Sequence, residues 1–220
     1  MKKYELTNDT IEICGHKLSR IRALTDFGNV KAGDLGGYVE SESNLSHDGN
    51  AWVRDNAIVR DSAMVCDSAI VHDNAIVRDN AMVSDSAEVC DNAVVRDNAW
   101  VRNNAMVSDN ATVSALATVR DNAWVSDNAT VRGNTDYLYV KGLGSCNRHT
   151  TFYSSTKGVS VQCGCFNGTL DDFAAKVVDT HGNNKYAKEY MAMVRVVKIY
   201  FGLEDNNCLL YTSPSPRDRG

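Results

Sequence analysis

The chain has almost no proline, no long apolar run and no excess of positive charge. Its two prolines, Pro214 and Pro216, both fall in the last seven residues, so nothing before them is barred from a sheet by a missing N–H. No stretch approaches the roughly eighteen apolar residues that a membrane-spanning helix requires. The start, Met1-Lys2-Lys3-Tyr4-Glu5-Leu6-Thr7, carries two lysines with no apolar segment behind them. That is not the pattern of a secretory leader, and a cytoplasmic setting without a membrane partner is the expectation. A formal charge of −5 argues against a sequence-independent nucleic-acid binder, which carries a basic excess. Of the seven cysteines, Cys14, Cys66, Cys90, Cys146, Cys163 and Cys165 precede the last thirteen residues. Without a secretory context they read as thiols rather than as a disulfide framework.

What the chain has in abundance is a period of six. Alanine recurs at every sixth position from Ala51 to Ala129, fourteen times, and a valine follows each one two residues later, from Val53 to Val131. Alanine and valine are separated by one residue, so in an extended strand both face the same side and the residue between them faces away. After each valine come a polar residue, then Asp, then Asn or Ser. These types favour turns, and Asn in particular tolerates a left-handed backbone. Each unit is one short strand and one corner. Three units close a triangular coil of eighteen residues, and coils stack in parallel at about 4.8 Å. The three valines of one coil cannot offset the ordering of its backbone, so stability must come from stacking on neighbours. The pattern starts earlier, with Gly37-Tyr38-Val39 and Ser43-Asn44-Leu45. Leu45 to Val53 is eight residues, which predicts a two-residue insertion near Ser46-His47-Asp48-Gly49. Ala115 and Leu116 replace Asp and Asn at one corner, read here as drift.

Every third unit shares an outer face. Trp52, Ile70, Glu88, Met106 and Trp124 form one; Ile58, Ile76, Val94, Thr112 and Thr130 a second; Met64, Met82, Trp100 and Thr118 a third. On the second face Arg60, Arg78 and Arg96 run beside the aliphatic column. Exposed apolar stripes of this length mark interfaces. The candidate binding residues are therefore Trp52, Ile58, Arg60, Ile76, Arg78, Val94, Arg96, Trp100 and Trp124. A face that pairs with itself gives a closed dimer or trimer; another protein is the other partner such a face would take. The aspartate columns, for example Asp55, Asp73, Asp91, Asp109 and Asp127, have arginine or serine beside most members and read as solvated corners.

The repeat resembles that of left-handed parallel β-helix proteins, among them the trimeric hexapeptide acyltransferases. That resemblance implies an acyl-CoA donor and a histidine base at a subunit boundary. His47, beside the small insertion, and His72, in an ordinary corner, are the candidates for that role. The unbroken run offers no extruded loop for a catalytic pocket. Cys146, His149, Cys163 and Cys165 are ligand types for zinc, but alternate residues of a strand seldom clamp one tetrahedral ion, and a small packed core is the preferred reading.

The ends are not repetitive. Residues 1–35 carry alternating runs that read as a β-hairpin cap. The following Thr25-Asp26-Phe27, Val30-Lys31-Ala32-Gly33 and Gly36-Gly37 segments resemble the opening of YdcK-type hexapeptide-repeat proteins of bacteria, which implies a fold and a cap and no activity. The solenoid is expected over 36–134. Residues 135–207 are expected to form a small α+β module: a hairpin around Thr156-Lys157-Gly158, a helix capped by Thr169, and a second helix from Asn184 with Tyr190, Met193, Val194 and Val197 on one side. Similar modules follow repeat arrays in phage and prophage proteins. Residues 208–220 resemble the translation of a sequencing adapter and are set aside. Folded ends would block the end-to-end stacking that open sheet edges invite, as in bactofilin-type filaments. The expectation is a non-catalytic structural or interaction scaffold that needs no cofactor. The alternative is an acyltransferase using acyl-CoA.

Overall fold

The computed structural model describes residues 2–203; the segment 208–220 set aside above lies outside the described residues. Fourteen two-residue strands, β4 (Trp52–Val53) to β17 (Thr130–Val131), recur every six residues. They sort into three parallel sheets, one for each face of the coil. Register follows the sequence period: Val53 lies beside Val71, Val77 beside Val95 and Val101 beside Val119. The first coil is longer, since Val39 pairs with Val59 and Leu45 bridges to Val65. Both offsets are twenty residues instead of eighteen, as the insertion at Ser46–Gly49 requires. The result is a β-solenoid of about five turns. All fourteen alanine–valine pairs line its interior, essentially without solvent exposure.

The corners depart from expectation in one respect. The left-handed backbone belongs to the aspartate, not to the asparagine after it: eleven aspartates from Asp55 to Asp127, together with Asn103 and Ala115, have φ between 55° and 66°. At eight corners the amide points along the stack and the aspartate one coil earlier accepts it. Asp79 N–H donates to Asp61 Oδ2 at 3.2 Å, Asp97 N–H to Asp79 at 3.1 Å and Ala115 N–H to Asp97 at 3.0 Å. Aspartate is short enough to visit this region and carries the acceptor that pairs a corner donor.

At the N-terminal end, β1 (Tyr4–Ile13) and β2 (His16–Ala23) form the expected hairpin, turning at Cys14-Gly15 with φ of 53° and 83°. This is a turn with two positive φ values, matched to strand twist. With β3 (Leu35–Val39) the hairpin extends the second sheet. Backbone carbonyls at this end of the stack are satisfied by side chains. Tyr4 donates to Glu42 O and Leu45 O, Lys3 Nζ to Ala51 O, and Asn44 Nδ2 to Asp61 O and Ala63 O.

At the C-terminal end stands a four-stranded antiparallel sheet with two helices: β18 (Tyr137–Leu143), β19 (Arg148–Ser155), β20 (Gly158–Cys163), β21 (Phe166–Thr169), α1 (Leu170–His181) and α2 (Lys185–Tyr200). The expected hairpin is β19–β20, and Thr169 and Asn184 cap the helices. Strands β18 and β21 were not foreseen. Their sheet is buried on both faces. Tyr137 and Tyr153 close the solenoid interior, while Phe152 and Val161 pack with Phe173, Tyr190 and Val194. The module also pairs the last coil's polar groups: Thr151 accepts from Trp124 N–H, Asn134 from Thr118 N–H, and Tyr137 O–H donates to Thr118 O.

Candidate interaction surface

The three sheets hold their outward side chains in straight columns. On the third face Met64 pairs with Met82, Met82 with Trp100 and Trp100 with Thr118. Met64 is 38% and Trp100 43% exposed, making this the most open apolar column of the solenoid. Met64 and Met82 were absent from the candidate set; their signal was their sequence phase with Trp100. Leu116, at 74%, is the most exposed large apolar residue among the described residues. It sits on the corner occupied elsewhere by Asn or Ser.

Two candidates prove to be interior. Trp52, 5% exposed, packs edge-on against Phe27 and Tyr4, and Ile58, 8% exposed, lies between Tyr38 and Ile76. The N-terminal segment covers both, so neither is open to a partner. Ile76 and Val94 are half-buried. Beside them Arg60, Arg78 and Arg96 each donate to the following aspartate, at 2.7, 2.7 and 3.0 Å. The arginine ladder thus spaces the negative charges of the corner column. Trp124 is 38% exposed, and its indole N–H donates to Ser108 Oγ at 3.0 Å, holding the ring on the first face.

Both candidate histidines are engaged with their neighbours, although His47 Nε2 is buried without a hydrogen-bond partner. His72 lies between Asp73 and Glu88, its ring nitrogens 2.7 and 2.6 Å from their carboxylates. His47 stacks on Tyr4 with centroids 4.4 Å apart, and its Nδ1 accepts from Lys3 N–H. Both tie one coil or cap to its neighbour. The cysteine–histidine set is not assembled as a metal site. His149 bonds to Tyr139, Thr150 donates to Cys163 Sγ, and Cys146 and Cys165 are exposed. Groupings of metal-ligand type among the described residues occur elsewhere, at His16–Glu40–Asp61 and Asp55–His72–Asp73. In the first, Arg60 donates to His16 Nε2, so His16 Nδ1 donates to Glu40, and Glu40 accepts from Asp61 N–H. That ring is already satisfied by protein groups, and it holds Glu40 below the usual carboxylate range through its bonds to His16 and Asp61 N–H.

Burial pushes the Cys66 thiol up to about 11 and the Cys90 thiol up to about 12, with Asp67 and Asp91 beside them adding to the effect. Burial also lowers Lys3 to about 8, partly offset by Asp48. Among the described residues no helix is long and apolar enough to cross a membrane. Neither a protein-family model nor a curated protein sequence matches the chain.

Proposed function

We propose that this protein is a non-catalytic scaffold, a stiff solenoid whose third face binds a second copy of the chain. The observation that carries the reading is the Met64–Met82–Trp100 column on a regular sheet, with Met64 and Trp100 exposed and Met82 half-buried between them. Flat, polarizable, apolar columns make adaptable interfaces; a surface that pairs with itself closes as a dimer, and one that meets an adjoining patch of the next copy closes as a trimer. The reading requires no cofactor. Six free thiols among the described residues suit a reducing, cytoplasmic setting. The glycine-rich lead-in to the first coil supports kinship with YdcK-type solenoids, and the resemblance of the C-terminal module to those that follow repeat arrays in some phage and prophage proteins is the ground for an origin in a bacterium or its phage. Light scattering on the eluting protein tests the assembly. The double substitution Met64→Glu and Trp100→Glu is expected to lower the measured mass to one chain while leaving the fold intact, because exposed positions tolerate such changes to within about 0.5 kcal/mol. Assembly unchanged by both glutamates would refute this face as the interface.

A further inference from the structure

Within the repeat, arginine is normally followed by aspartate. Arg54, Arg60, Arg78, Arg96 and Arg120 all obey, and each reaches that carboxylate at 2.7 to 3.7 Å. Arg102 is followed by Asn103 instead. The amide keeps the corner intact: Asn103 has the same left-handed φ of 62°, its N–H and Nδ2 donate to Asp85, and its Oδ1 accepts from Asp121 N–H. What it omits is the charge. Among the described residues Arg102 has no carboxylate in ion-pair reach, and its Nε is buried without an acceptor. The guanidinium is held 5.9 Å from the Trp100 ring centroid.

Arg120 follows Arg102 one coil later in the same column, since Val101 pairs with Val119. Two cations therefore stand on adjacent strands, about 4.8 Å apart at the backbone, with one neighbouring carboxylate between them instead of two. Both line a cavity of about 380 Å³ between the last coils and the C-terminal module, together with Asp121, Tyr137, Leu138, Tyr139 and Tyr200. That volume is in the range of small-molecule sites, about 300 to 1,000 Å³. The tyrosine hydroxyls are already committed. Tyr137 donates to Thr118 O, Tyr200 to Asn134 O and Tyr137 O, and Tyr139 bonds to His149. Their rings are fixed walls, Asp121 is already paired with Arg120 at 3.7 Å, and the unmet polar demand comes from Arg102.

We propose that this cavity binds an oxyanion carried on a flat ring, an aryl phosphate or aryl carboxylate. Arg102 and Arg120 take the anion, and Tyr137, Tyr139 and Tyr200 flank the ring. Guanidinium forks match both oxyanions bidentately.

Calorimetric titration of the full chain with phenyl phosphate, benzoate and inorganic phosphate at fixed ionic strength tests this. At least one aryl probe should bind saturably, and inorganic phosphate about tenfold more weakly or worse for want of the ring. Whichever aryl probe binds more tightly separates phosphate from carboxylate. Asn103→Asp should weaken that binding by about tenfold by restoring the missing carboxylate beside Arg102. Its thermal midpoint should fall only slightly, because aspartate already fills this position at eleven other corners and the loss is the exposed Nδ2 bond to Asp85. Arg102→Gln should weaken binding as strongly. No saturable binding of either aryl probe, equal affinity for inorganic phosphate, or full affinity in Asn103→Asp would each overturn the proposal.

Discussion

A left-handed corner costs an ordinary L-residue about 1 to 2 kcal/mol, and thirteen such corners run from Asp55 to Asp127. Eleven are aspartate because aspartate tolerates the conformation, and eight of these also accept the amide of the next coil. Ala115 does neither, although its backbone has the same φ of 55°. Ala115→Asn should therefore stabilise the protein by about 1 kcal/mol, read as a higher denaturant midpoint with unchanged slope; a lower midpoint would show that the corner is not strained. The thiols give a second test. A raised thiol pKa means less thiolate at a given pH, and the thiolate is the nucleophile. At pH 8 iodoacetamide should modify the exposed Cys14, Cys146 and Cys165 and spare Cys66 and Cys90. As pH rises, Cys66 should become reactive before Cys90. Equal labelling of all five at pH 8 would mean that the corner thiols are not shielded.

Strands of two residues have no stability of their own, so each sheet depends on stacking and on how its ends are finished. Asn44, fully buried, closes the first coil by donating to Asp61 O and Ala63 O while accepting from Ser41 N–H. Asn44→Ala should cost about 2 to 3 kcal/mol and speed amide exchange in the first coil more than at Val95, since neighbours carry the effect in a stack. Uniform exchange along the solenoid would contradict this nearest-neighbour picture. The alternation Ala-x-Val made the three sheets, their register and the insertion at Ser46–Gly49 readable directly. Strand β18 was missed because Tyr137 to Val140 are apolar on both sides. Tyr137 closes the solenoid while Leu138 and Val140 pack toward the helices, and a strand covered on two faces loses the alternation that betrays it. Trp52 was misassigned because Tyr4 and Phe27 reach it from distant positions in the chain. The columns of Met64, Met82 and Arg102 were legible in phase, yet their exposure and pairing depend on what the corners and caps cover.

The finished molecule is a rod closed at one end by a hairpin and at the other by a sheet with two helices, both of which bond to the coil beneath them. Sideways contact is therefore the open route to assembly, and the third face is where the rod leaves its most exposed apolar column. One measurement decides this most directly: the mass of the eluting protein by multi-angle light scattering over a tenfold range of micromolar concentration. The account predicts two or three times the chain mass of 24.1 kDa, falling to one when Met64 and Trp100 both become glutamate. A mass of 24.1 kDa for the unmodified chain at every concentration would contradict it.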